Sequence, residues 1–88
     1  MIMGKVVNRL IATRKYDELQ GYKFLVIEPS YGDKKEYIIA ADTLGAGEGE
    51  FVLVSFGHAI QYALDKNAPI DALVVGIVDD EPILKNID

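Results

Sequence analysis

Few residues of this 88-residue chain have the type and spacing that chemistry requires. The single histidine, His58, has no second imidazole and no thiol with which to share a zinc ion, and no His-Glu-x-x-His pattern surrounds it. It reads as a structural or interface residue. Asp79, Asp80 and Glu81 run consecutively and offer either a hard-cation site or an acid/base pair. Their spacing is not that of an EF-hand, and Pro82 directly after them fits a solvated turn at a strand end. Ser55 lies in Val54-Ser55-Phe56-Gly57, which lacks the Gly-x-Ser-x-Gly layout of a nucleophile elbow. Asp42 and Thr43 resemble a turn-forming pair more than a base and its nucleophile. With no cysteine, thiol catalysis, disulfides and thiolate metal sites all fall away. The expectation is a protein with no catalytic set, no cofactor and no metal: not an enzyme.

The glycines raise a different possibility. Gly45, Gly47 and Gly49 stand at alternate positions and lead straight into Phe51-Val52-Leu53-Val54. A phosphate-binding loop instead follows a strand and opens a helix, whose N-terminal N–H groups hold the anion. No helix start follows these glycines, and Glu48 and Glu50 would repel a phosphate. The segment reads as a tight connection between two strands, of the kind that lets another backbone approach closely.

The elements that must position these residues are mostly strands. Apolar and β-branched runs predict strands over residues 5–13, 22–28, 36–42, 50–55 and 72–79. Pro29 stops the second, and Gly32 with Asp33 marks a tight hairpin turn within 30–35. One helix is predicted over 58–66, with Ala59, Tyr62 and Ala63 at helical spacing, Ile60 facing Leu64, and Pro69 beyond its end. The tail, 82–88, is short. Turn signals at regular short intervals favour a single small all-β domain, a barrel or a sandwich, with one short helix.

A net charge of −5, with the nine basic residues scattered, argues against a nucleic-acid partner. Five tyrosines (Tyr16, Tyr22, Tyr31, Tyr37 and Tyr62) would suit base stacking on a barrel, but that mode needs a positive groove. No apolar run reaches bilayer length and the N-terminus does not look like a signal peptide, so the chain is expected to be soluble and cytoplasmic, without a membrane partner. The strands carry one further signal. Ile38-Ile39-Ala40-Ala41, Val52-Leu53-Val54 and Leu73-Val74-Val75 are apolar at successive positions, whereas a half-solvated strand alternates. A small barrel takes only one face of each strand inward, and one short helix cannot cover the rest. Strand edges left open would add to the pressure for pairing. Self-association, as an obligate homo-oligomer, is the expected solution.

In order along the chain, Gly4-Lys5-Val6 with Ala12-Thr13-x-Lys15, then Leu19-x-Gly21-x-Lys23-x-Leu25, resemble the opening segments of the bacterial microcompartment vertex proteins, the ethanolamine-utilisation and carboxysome pentamer family. The run from Ala41-Asp42-Thr43 through Gly45-Ala46-Gly47-x-Gly49-Glu50 to Val52-Leu53-Val54 resembles that family's hallmark, and Asp71-Ala72-x-Val74-Val75-Gly76-Ile77-Val78-Asp79 its closing strand. The resemblance implies an OB-like five-stranded barrel, residues 1–88 forming one vertex domain, that assembles as a homopentamer around a narrow opening. It implies a structural role at the five-fold corners of a protein shell whose faces are tiled by hexameric shell proteins. It also implies a place for the glycine segment at a subunit interface or at the central opening, with Asp42, Thr43, Gly45, Gly47, Gly49, Glu50 and Asp79 as the residues concerned. Three departures from the family pattern stand out. Asn8 replaces a common glycine, the 30–35 loop is short, and Gln61 stands where an arginine often follows Gly-Ser-Ser-Ala, so that arginine's role is not carried over. The competing functional class is an OB-like barrel that binds a small ligand or an oligonucleotide; a third is a small acid/base enzyme using Glu48, Glu50 and Asp79.

Overall fold

The apolar runs form five strands in the computed structural model, which describes residues 1–32, 36–64 and 68–79. They are β1 (Ile2–Leu10), β2 (Lys23–Pro29), β3 (Ile38–Asp42), β4 (Phe51–Phe56) and β5 (Ala72–Val78). The strands close into a barrel in the order β1-β2-β3-β5-β4. All neighbours are antiparallel except β3 and β5, which run parallel with Ala41 beside Leu73. Pairing of Ile2, Met3, Gly4 and Lys5 with Val54, Leu53, Val52 and Phe51 completes the closure. A closed sheet has no free edge. The pressure toward self-association therefore comes from outward side chains, not from strand edges.

Alternation along each strand divides the apolar residues between two cores. Val6, Leu25, Ile27, Ala40, Val52, Val54, Ala72 and Val74 fill the barrel interior, and Ala46 of the glycine loop joins them. The residues one step along, Ala41 and Leu73, point outward and are buried against Ile60, Ala68 and Ile70, with Leu19, Tyr22, Phe24 and Leu64 around them. The excursion between β4 and β5 thus covers the β3–β5 wall, so part of the outward apolar set is satisfied within the chain. Leu10 of β1, Ile39 of β3 and Val75 of β5 remain exposed.

The strands are too close at one point to admit a side chain. A Cβ on Gly4 would lie 2.5 Å from Ile27 Cγ2 and 2.7 Å from the Glu28 carbonyl oxygen. Beyond it, β1 carries a bulge between Val6 and Asn8, which shifts its register against β2. At the bulge the Asn8 carboxamide accepts the Arg9 N–H at 2.8 Å.

The element predicted as a helix over 58–66 is a short 3-10 helix, His58–Ala63. It starts after Gly57, whose φ of +90° and extended ψ turn the chain out of β4. Backbone bonds from Ile60 N–H to Gly57 C=O and from Leu64 N–H to Gln61 C=O span three residues, the tighter 3-10 pattern. Its buried side is Ile60 with Leu64, while Tyr62 is 95% exposed and Ala63 is exposed too. The Tyr62–Ala63 stripe expected from spacing faces solvent. Gly32 has the left-handed φ of +107° expected of a turn. Asp33, the end of the 58–66 helix prediction, Asp80, Glu81 and the 82–88 tail lie outside the described residues.

Candidate functional site

The glycine segment is a loop held from both ends. At its start Asp42 closes β3, opposite Lys23 at the beginning of β2. Asp42 is only 3% exposed and is the one buried charged residue among those described. Its carboxylate turns back over the loop, Oδ1 accepting the Leu44 N–H at 3.0 Å and Oδ2 the N–H groups of Gly45 at 3.1 Å and Ala46 at 2.8 Å. The Lys23 ammonium sits 3.6 Å from Oδ2 and donates to the Ala46 carbonyl. A buried carboxylate is tolerated because three N–H groups and a cation surround it.

At the far end the chain makes a second turn. Glu50 N–H donates to the Gly47 carbonyl at 3.1 Å, and Glu50 Oε1 accepts the Gly47 N–H at 2.7 Å. Gly49 N–H and the Glu50 carbonyl then pair with Val6 of β1, at 2.8 Å and 2.9 Å. One oxygen of the Glu50 carboxylate is thus engaged in its own loop. Between the two turns Thr43, Leu44 and Gly45 stand exposed, while Ala46 plugs into the core.

The three glycines have separate reasons. Gly45 and Gly49 adopt φ of +91° and +88°, the left-handed region where glycine is at home. Gly47 has no such φ, and a Cβ there would meet only Glu50 Oε1 at 3.5 Å, an ordinary contact. Nothing within the subunit demands glycine at this position.

Asp79 follows β5 directly, one residue beyond Val78, which pairs with Phe51. The register therefore brings Asp79 to the same barrel end as Glu50. Asp42 and Thr43 lie at the other end of the same loop, so all seven sequence-selected residues flank one connection. Among the described residues no group of His, Cys, Asp and Glu could hold a metal ion. Tyr22 packs against the second core, whereas Tyr16, Tyr31, Tyr37 and Tyr62 are exposed.

Two contributions were not legible in the sequence. Lys23 was visible only as part of a motif, because its bond to Ala46 is made across 23 residues. Gln61, noted only as a departure, donates to the Ala68 and Ile70 carbonyls at 3.0 Å and 3.1 Å and accepts the Ala68 N–H at 3.4 Å. Its carboxamide clasps the 3-10 helix to the approach of β5 instead of reaching outward. A carboxamide that both donates and accepts suits this task, whereas a guanidinium cannot accept.

A profile of the ethanolamine utilisation protein EutN/carboxysome family matches residues 1–79. The chain belongs to this family. Among relatives of the vertex family, the carboxysome shell vertex protein CcmL of Thermosynechococcus vestitus is 42% identical over 83 residues, covering 90% of this chain and 84% of that protein. The bacterial microcompartment shell vertex protein GrpN of Rhodospirillum rubrum is 40% identical over 84 residues, covering 90% and 93%. The solved GrpN pentameric microcompartment shell protein from Rhodospirillum rubrum superposes with a TM-score of 0.81 at 36% identity, covering 96% of this chain and all of that one. The barrel is therefore the vertex-family barrel, with the family glycine motif as its β3–β4 connection.

Proposed function

We propose that this chain is a structural vertex protein of a bacterial microcompartment shell, forming a homopentamer that caps the five-fold corners and catalysing nothing. The observation that supports it most is the agreement of near full-length relatives on one role, all carried by the same barrel. The residue-level features fit that role. The barrel interior is taken by side chains, which leaves it no room as a ligand pocket. Glu50 and Asp42 are bonded within their own loop. Gly47 lacks a side chain without an internal reason, as a close approach by a neighbouring subunit would require.

In the ring, residues Asp42, Thr43, Gly45, Gly47, Gly49, Glu50 and Asp79 lie at the subunit interface or the central opening. A cyclic ring uses a heterologous contact, one patch against a different patch of the next subunit. The exposed loop tip on one side and the exposed wall residues Leu10, Ile39 and Val75 on others supply unlike patches. The shell is cytoplasmic, and its faces are tiled by hexameric shell proteins that meet the pentamer at the corners. A sheet of six-fold tiles stays flat or rolls into tubes, and five-fold units let it close. Co-expression with a hexameric tile protein tests this. Closed polyhedra are expected when the chain is present and open sheets or tubes when it is absent; equal closure in both would contradict the proposal.

A further inference from the structure

We infer that Lys23 is a positioning residue for ring assembly: it locks the 42–46 half of the glycine loop so that Leu44 is presented, already ordered, to the neighbouring subunit. The inference rests on the reading of this loop as a ring contact.

Lys23 has two bonds, and they hold two different things. One ties the ammonium to the Asp42 carboxylate at 3.6 Å, and the other runs to the Ala46 carbonyl. Asp42 in turn fixes the N–H groups of Leu44, Gly45 and Ala46. Ala46 is fully buried in the barrel core, so its carbonyl is a fixed point. The segment between is thereby pinned at both ends, and residues 43–45 can only bow outward.

What they carry outward is an apolar side chain. Leu44 is 53% exposed, at the crest of a segment whose N–H groups at residues 44–46 are already bonded to Asp42. An exposed leucine on a mobile loop loses chain entropy when it docks, about 1–2 kcal/mol per residue ordered. A leucine on a loop held from beneath avoids that cost, so the lock converts internal bonds into assembly strength. The cation has a second effect. Glu48 and Glu50 follow in the same loop, and Lys23 is the positive group that offsets Asp42 beneath it. The occupant is a second copy of this chain, since the solved relative with the same barrel is a pentameric shell protein.

Four single variants and one double variant of the full-length chain separate the lock from the contact. Leu44→Ser changes the exposed crest and Gly47→Val the half-buried turn beyond Ala46, and both leave Lys23 and Asp42 in place. Both are expected to raise the concentration at which the ring half-dissociates by roughly tenfold or more in native mass spectrometry. Lys23→Met removes both bonds and is expected to raise it by a similar factor, with Lys23→Arg restoring most of it. In the Gly47→Val background, diluted until the chains with and without Lys23→Met are both monomeric, Lys23→Met should speed amide exchange at Leu44, Gly45 and Ala46 by roughly tenfold or more. If Lys23→Met loosens those amides while the ring midpoint stays put, the positioning role is wrong although the loop contact stands. If Gly47→Val and Leu44→Ser leave the midpoint unchanged, the loop is not in the ring and both ideas fall. Should Lys23→Met not fold, wild-type behaviour of Leu44→Ser overturns the inference by itself.

Discussion

Replacing Gly4 by alanine tests the barrel at its tightest point. The new Cβ would sit 2.5 Å from Ile27 Cγ2 and 2.7 Å from the Glu28 carbonyl oxygen, where carbon–carbon contacts prefer about 3.5–4.0 Å. Neither neighbour yields easily. Ile27 is fully buried and β-branched, so its χ1 is stiff, and the Glu28 backbone belongs to the β1–β2 ladder. The strands must separate by about an ångström or Ile27 must leave its rotamer, and overpacking of this kind costs typically about 1–3 kcal/mol. Because neither neighbour yields, the cost falls in the upper part of that range, about 2–3 kcal/mol; the lower entropy of an unfolded alanine returns up to about 1 kcal/mol, which leaves a net loss of about 1–2 kcal/mol. For a domain of this size each kcal/mol moves Tm by about 4–8 °C, so Gly4→Ala should melt about 4–16 °C lower. The assay is thermal unfolding followed by far-ultraviolet circular dichroism, with both proteins at one protomer concentration because ring formation itself raises Tm. If Gly4→Ala melts within about 2 °C of the parent, the close β1–β2 approach is not what the packing says, and the reasoning fails.

Asp42→Ala would strand three backbone N–H groups and the Lys23 ammonium, one of them inside the core at Ala46. A loss of about 2–4 kcal/mol is expected in urea unfolding, with Asp42→Asn between the two; an unchanged midpoint would mean that the carboxylate is not the loop's anchor. Gln61→Ala removes three hydrogen bonds to Ala68 and Ile70 and should cost about 1–3 kcal/mol, with faster amide exchange across the second core but not inside the barrel. Uniform loosening of both cores would show that the clasp is not local.

How far the sequence disclosed this arrangement depended on the range of the interactions. All five strands were legible, because β-branched runs bounded by turn residues are a local signal. The start of β1 was not: Ile2, Met3 and Gly4 become strand by pairing with Val54, Leu53 and Val52, which are distant in sequence. The apolar pairs Ala40-Ala41 and Leu73-Val74 correctly announced two covered faces, but part of the cover proved to be the chain's own 57–70 excursion. The excursion was read as a regular helix from residue spacing. Gly57 and the three-residue backbone bonds make it a 3-10 helix, on which Ile60 is buried and Tyr62 is not. The glycine loop was legible as a structural connection from its glutamates and the absence of a following helix. The Asp42 turn was legible too, since its carboxylate bonds the N–H groups two to four residues on. What stayed hidden was Lys23 reaching that carboxylate from another strand, which depends on tertiary register.

The central claim is that this barrel exists as a closed ring of five. Native mass spectrometry of the purified chain over a dilution series tests it most directly. The account predicts a dominant species of five chains that persists on dilution, as expected for an obligate ring closed by heterologous contacts. A stable monomer across the series would contradict it, because the exposed loop crest and wall residues would then have no partner to meet.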